Sequence, residues 1–303
     1  MPNNSVVSLF RQAAADAAKR LKSVELRDLR PTLDLPFGRG PLRRDEFFWR
    51  GRVAAGRTFE VKGIQGSIRV SPSEDEWIEL MAIKSGRRNR PEEVDIRVLE
   101  HEGGVTVGAL YPSEDPKRPN ELLPGEAGRM KVRRNDVSVE FIVRLPEGVR
   151  FVARTVNGDV SAEGFAGAVE ARTVNGAVKI RGARHARAAT VNGSIEVSLI
   201  PAEGEDEVQL KTVNGDLRLD LPAETEAHVQ AATVSGDVWL EFPLEGAETR
   251  SRKKVCGSIG QGAAGRRLLL KTTNGGIRIG RVRGDADRRN SGTTSAPEFR
   301  QGG

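Results

Sequence analysis

One tetrapeptide, Thr-Val-Asn-Gly, constrains this chain more than any other feature. It stands at residues 155–158, 173–176, 190–193 and 212–215, with variants Thr233-Val234-Ser235-Gly236 and Thr272-Thr273-Asn274-Gly275. The six Thr positions are spaced by 18, 17, 22, 21 and 39 residues. The last gap fits two repeats, one of them degenerate near Val255-Cys256-Gly257-Ser258-Ile259. A period near 20 residues marks units too small to bury an apolar face alone, which stack on one another to share a core.

Each unit alternates with period two. Val169, Ala171 and Thr173 alternate with Glu170 and Arg172, and beyond the Asn175-Gly176 break Val178 and Ile180 alternate with Lys179 and Arg181. The same frame recurs at Val208, Leu210, Thr212, Leu217 and Leu219, and again at Leu268, Leu270, Thr272, Ile277 and Ile279. This is a strand with one dry and one wet face, a bend, and a second such strand. The bends are Asn157-Gly158, Asn175-Gly176, Asn192-Gly193, Asn214-Gly215, Ser235-Gly236 and Asn274-Gly275. Two architectures accept this pattern. In a right-handed parallel β-solenoid, each Asn-Gly is a corner and successive Asn side chains stack. In an antiparallel meander or sandwich, each is a type I′ hairpin turn. The solenoid is favoured, because stacking identical rungs accounts directly for identical corners at near-equal spacing.

The chain divides accordingly. Residues 1–22 carry Val6, Leu9, Phe10, Ala13, Ala17 and Leu21 at three- and four-residue steps, predicting a short amphipathic helix that meets a membrane or caps the fold. Residues 23–57 form a Pro/Gly-broken connector whose Phe47, Phe48 and Trp49 are placed to plug an open end of the repeats. Strands fill residues 58–280, beginning with a degenerate corner at Gly63-Ile64-Gln65-Gly66 and interrupted by a Pro-rich insertion over 112–128. Residues 281–303 have the polar composition of a disordered tail.

Aromatic residues make up 5% of the chain against 34 glycines, which suits a thin repeat core with many turns. The single Cys256 rules out an intrachain disulfide framework and a four-cysteine zinc site. No apolar run is long enough for a membrane span or a secretory signal, so a cytoplasmic or peripherally membrane-associated protein is expected. His101, His185 and His228 lie in separate segments without metal-ligand spacing, and no hydrolase, nucleotide-binding or nucleic-acid motif is present, so neither cofactor nor metal is expected. An enzyme reading needs two carboxylates on neighbouring rungs. Asp216 and Asp237 follow successive corner glycines and are the candidate pair for a carbohydrate-active site, against the plainer role of satisfying corner amides.

The net charge of +6 at a pI near 9.7 makes anionic partners the natural class. Stacking would place Arg154, Arg172, Ala189, Lys211, Ala232 and Lys271 in one outward row, and Ser161, Lys179, Glu196, Arg218, Trp239 and Arg278 in another. Such rows fit an anionic polysaccharide or an anionic membrane surface; they also serve simply to keep sheets soluble.

The segments Gly66-Ser67-Ile68-Arg69-Val70 and Leu145-Pro146-Glu147-Gly148-Val149, with the repeated Thr-Val-Asn-Gly, resemble the bacterial putative-adhesin family of β-strand repeats, domain of unknown function 4097, over roughly residues 58–280. The resemblance implies a β-helix-like fold and a cell-envelope setting, and brings no catalytic residues. The function expected is a non-enzymatic scaffold or binding module, the alternatives being a self-assembling, bactofilin-like structural protein and a β-helix enzyme.

Overall fold

In a computed structural model of the chain, the described residues are 41–282, except 114, 116, 126–131, 133, 203–206 and 261–265. The helix read over 1–22, the connector up to residue 40 and the tail from 283 lie outside them.

The alternating segments fold as expected into strand–corner–strand coils. The central ones are β8 (Arg150–Arg154) with β9 (Val160–Glu163), β10 (Ala168–Arg172) with β11 (Val178–Ala183), β12 (His185–Ala189) with β13 (Ile195–Leu199), and β14 (Glu207–Lys211) with β15 (Leu217–Leu221). The first strand of each coil lies in one sheet and the second in another. Val169 pairs in parallel with Phe151 and Ala186, and Val178 with Val160 and Ile195. Parallel bridges link the corners Gln65, Asn157, Asn175, Asn192, Asn214, Asn274 and Ser235. The fold is therefore a two-sheet β-solenoid. The hairpin alternative is excluded, because each Asn-Gly joins strands of different sheets and closes no antiparallel pair. Inward side chains such as Val169, Ala171, Val178, Ile180 and Leu210 are buried in one continuous core between the sheets.

The corner residues explain their own recurrence. A Cβ on Gly193 would stand 2.0 Å from the Gly176 carbonyl oxygen of the rung below, and the other corner glycines meet the same wall at 2.0–2.1 Å. Only glycine lets backbones approach this closely. The inward Thr190 hydroxyl donates to that same Gly176 carbonyl at 3.0 Å, as Thr173 does to Gly158 at 2.9 Å. Thr rather than Val at this position thus removes a buried unmet acceptor.

Spatial order departs from chain order at both ends. β16 (Ala227–Ala232) and β17 (Val238–Leu240) form the outermost coil at the C-terminal end. After it come β18 (Glu245–Arg250) and β19 (Lys254–Ile259), and then β20 (Arg266–Lys271) and β21 (Ile277–Arg281). The β20/β21 coil returns to lie between β14/β15 and β16/β17, so Asn274 sits between Asn214 and Ser235. The stretch expected to hold a degenerate repeat at 255–259 is β19 instead, an antiparallel partner of β16 with no corner. The 39-residue gap is filled by this hairpin and the return, not by a further coil.

At the other end β2 (Thr58–Lys62) and β3 (Ile68–Pro72) form the coil with the Gln65 corner. Outside it, β6 (Gly104–Leu110) and β7 (Ser138–Leu145) make a last coil whose corner is replaced by residues 111–137. Antiparallel strands close this end: β4 (Ile78–Gly86) on β7, β1 (Arg43–Gly51) on β4, and β5 (Asp95–His101) on β6. β1 lies inside the stretch read as a connector. Its Phe47 and Trp49 pack on the core, Trp49 stacking on Phe59 at 5.7 Å, while Phe48 faces the opposite way.

Candidate binding surface

The register lines up the outward residues as the repeat implied. On the first sheet one row runs Lys62, Arg154, Arg172, Ala189, Lys211, Lys271, Ala232 and Lys254. On the second sheet another runs Arg69, Ser161, Lys179, Glu196, Arg218, Arg278 and Trp239. The returned coil alters both. Lys211 and Lys271, far apart in the chain, become direct neighbours, as do Arg218 and Arg278, and Trp239 moves to the exposed end of its row.

Most of these cations are neutralised locally. Lys179 pairs with Glu163 at 3.2 Å, Arg218 with Asp220 at 3.0 Å, Arg278 with Glu241 at 2.6 Å and Arg172 with Glu170 at 3.2 Å. Arg154 bridges Glu60 at 2.9 Å and Glu170 at 3.1 Å and is largely covered. Lys211 and Lys271 are exposed and make no ion pair among the described residues. With rungs about 4.8 Å apart, they form a doublet of unsatisfied charge, continued past Ala232 by exposed Lys254.

Beside that row runs the corner ridge. Val156, Val174, Val191 and Val213 stand about 40% exposed in line, and Thr273 of the returned coil separates them from Val234 at the end. Next to them the Asn side chains form an amide ladder. Asn175 Nδ2 donates to Asn157 Oδ1 at 2.7 Å, Asn192 to Asn175 and Asn214 to Asn192 at 2.8 Å, and Asn274 to Asn214 at 2.7 Å. Replacing Asn192 with Ala breaks two of these bonds and is expected to cost about 1–2 kcal/mol, since each nets roughly 1 kcal/mol. Asn157→Ala breaks one and should cost about half as much. Urea midpoints of the two variants measure the difference, and equal shifts would dissolve the ladder as a cooperative element.

The proposed carboxylate pair is not assembled. The returned coil separates Asp216 from Asp237 by two rung steps, about 10 Å. Asp216 Oδ1 accepts the Gly276 amide at 2.7 Å, Asp159 Oδ1 accepts the Ala177 amide at 2.8 Å, and Asp237 pairs with Arg252 at 2.7 Å. These aspartates satisfy corner backbone and loop. Among the described residues no group of three His, Cys, Asp or Glu is placed to hold a metal ion.

A cluster that sequence reasoning missed lies at the N-terminal end of the first row. Glu60, on the outward face of β2, is 3% exposed. Its carboxylate accepts from Arg154 Nε at 2.9 Å, Thr106 Oγ1 at 3.0 Å and the Gly125 amide at 2.9 Å. Lys62 Nζ donates to the carbonyls of Leu123 at 2.5 Å and Gly125 at 2.6 Å. Burial pushes the Lys62 ammonium down from its usual range; Glu60 opposes the shift and Arg154 adds to it. These contacts pin the insertion across the sheet, and the insertion's position between two strands of one coil is the only sequence signal that could have pointed to it.

Residues 135–280 match the family model described as Toastrack DUF4097. No curated protein matches the chain in sequence. A solved structure of a putative cell adhesion protein from Clostridium sporogenes is 12% identical, with a TM-score of 0.49, over 79% of this chain and 100% of that one. A putative adhesin from Bacteroides fragilis is 14% identical, with a TM-score of 0.36, over 78% and 97%. A protein from Parabacteroides distasonis described as a putative lipid binding protein is 10% identical, with a TM-score of 0.25, over 81% and 98%. The stretch that holds all six corner copies, residues 135–280, belongs to the Toastrack family, domain of unknown function 4097.

Proposed function

We propose that this chain is a non-enzymatic β-solenoid binding module that lies along an anionic polysaccharide, with Lys211, Lys271 and Lys254 supplying the charge contacts. The observation that carries the reading is the Lys211–Lys271 pairing: two exposed lysines held one rung apart without acidic partners among the described residues. Like charges so close are unfavourable unless a counter-charge is supplied from outside. The neighbouring Asn ladder uses one N–H of each amide internally, which leaves the second for hydroxyl acceptors on a polymer running along the ridge. Lys179, Arg218 and Arg278 sit in the second row with partly exposed carboxylate partners that can exchange for an external anion, whereas Arg172 is held by the buried Glu170. An envelope setting is consistent with this reading.

Self-assembly by end-to-end stacking of coils has less support. Antiparallel strands occupy both edges of the first sheet and one edge of the second. The remaining edge, β17, is three residues long, and its Val238 amide already donates to the Arg252 carbonyl at 2.7 Å. Three edges are thus antiparallel strands rather than coil rungs and the fourth is short and partly blocked, so neither end offers a rung that would continue the coil stack.

Co-sedimentation with polygalacturonate tests the proposal, with anionic vesicles as a parallel arm. Lys211→Glu/Lys271→Glu is expected to weaken polymer binding at least ~10-fold, and raised salt should weaken the wild type, because exposed charges are screened. Wild type that ignores the polymer, or a double variant that binds it equally well, overturns the reading; binding confined to vesicles replaces the polysaccharide with lipid.

A further inference from the structure

The outer face of the second sheet is polar along most of its length. One row of it runs Arg278, Arg218, Glu196, Lys179, Ser161 and Arg69, all half-buried or exposed. Beyond Arg69 the same row changes character and becomes Ile142, Met81 and Phe48, with Ile83 one position aside. These four form an apolar cluster separate from the core, on the opposite face of the sheet. Ile142 is 0% exposed and Met81 2%, and their only apolar neighbours among the described residues are Phe48 and Ile83. Aliphatic side chains on an outer sheet face reach such burial only when something lies over them.

Phe48 and Ile83 stay partly exposed, so the cluster keeps an apolar surface that a segment of this chain can cover. The chain's stretches outside the described residues differ in where they attach. Residues 203–206, 261–265 and 283–303 adjoin β14, β20 and β21, at the other end of the solenoid. Residues 126–131 follow a segment pinned to the first sheet by Lys62 and precede Val132, which is bridged to Ser113. Residues 1–40 alone lead directly into β1, the strand that carries Phe48. Within them, 1–22 carries the long apolar stripe, Val6, Leu9, Phe10, Ala13, Ala17 and Leu21, at helical spacing, whereas the apolar residues Leu26, Leu29, Leu33, Leu35 and Phe37 nearer β1 are interrupted by the helix-breaking Pro31 and Pro36. The intervening 20 residues can extend to about 66 Å, ample to fold the segment back.

We infer that residues 1–22 dock as an amphipathic helix on the patch formed by Phe48, Met81, Ile83 and Ile142, so that this stripe covers the second sheet rather than meeting a membrane. The inference is independent of the polysaccharide reading, which concerns the other sheet.

Met81 supplies the measurement. Oxidation by dilute hydrogen peroxide, followed peptide by peptide by mass spectrometry on the full chain without lipid, reads its accessibility. Leu9→Asp/Phe10→Asp is expected to oxidise Met81 at least ~10-fold faster than wild type, as exposure governs thioether oxidation. An unchanged rate, or fast oxidation already in wild type, overturns the inference. A second arm does not depend on a disruptive variant. In a Cys256→Ser background, Leu9→Cys with Ile83→Cys should give a bismaleimide cross-link within one chain. Cross-links only between chains would assign the patch to a second copy, and slow Met81 oxidation that requires added anionic vesicles would assign the stripe to a membrane; either result overturns the inference.

Discussion

Gly193→Ala is expected to destabilise the solenoid by about 3 kcal/mol or more, at the top of the range for overpacking. The added methyl would stand 2.0 Å from the Gly176 carbonyl oxygen, and that oxygen already accepts from Thr190. Neither backbone can withdraw. The Gly193 amide donates to the Asn214 carbonyl at 2.9 Å and the Gly176 amide to the Asn192 carbonyl at 3.0 Å, so relief at one rung strains the next. Repeat stability is largely a sum of nearest-neighbour interfaces, so a break in the middle should also broaden the unfolding transition. Urea denaturation followed by circular dichroism measures both effects. Val191→Ser, two residues away and exposed, should stay within about 0.5 kcal/mol of wild type. A Gly193→Ala midpoint as close to wild type as that would show that the corners do not depend on close backbone approach.

Glu60→Ala is expected to cost about 3–5 kcal/mol, the range for removing one member of a buried ion pair. The loss leaves Arg154 to Glu170, removes one of the two partners of the Thr106 hydroxyl, the other being His101, and orphans the Gly125 amide. Because Gly125 belongs to the insertion, trypsin should cut after Lys117 markedly faster in the variant than in wild type. The double replacement Glu60→Met/Arg154→Met should recover part of the stability, since a well-packed apolar pair avoids the desolvation cost. Recovery of stability without recovery of protease resistance would confine the role of Glu60 to anchoring the insertion. A Glu60→Ala variant as stable and as resistant as wild type would remove the cluster from consideration.

The corners, the inward Thr and the two faces of each strand were legible because each is a local consequence of one tetrapeptide. Asn175 and Gly176 meet only their counterparts one rung away, so identity between copies carries the geometry. Which copies are neighbours was not legible. Gly215, Gly236 and Gly275 are interchangeable as sequence, and nothing in the residues around Thr272 says that this copy lies between Asn214 and Ser235. The same ambiguity hid the antiparallel ends. Val255 to Ile259 and Ile78 to Ala82 alternate as parallel strands do, since side-chain period is blind to strand direction. It also misplaced the carboxylates: Asp216 and Asp237 were adjacent only while chain order stood for spatial order. Glu60 escaped notice for a different reason. An outward Glu in an alternating strand is ordinarily solvated, and its burial is imposed by a segment some 60 residues away in the chain.

The returned coil bears on how the molecule is made. A ribosome that has delivered residues up to 260 has delivered β16 and β17 but not the layer on which they rest. Until β20 and β21 emerge, that outer layer, with β19 on one side of β16, either waits with its inner edge open or settles one step too low on Asn214 and must lift again. Completion of the native stack therefore falls after synthesis of its last 20 or so residues, and the C-terminal stretch acts as a keystone, set in place once the courses on either side already exist.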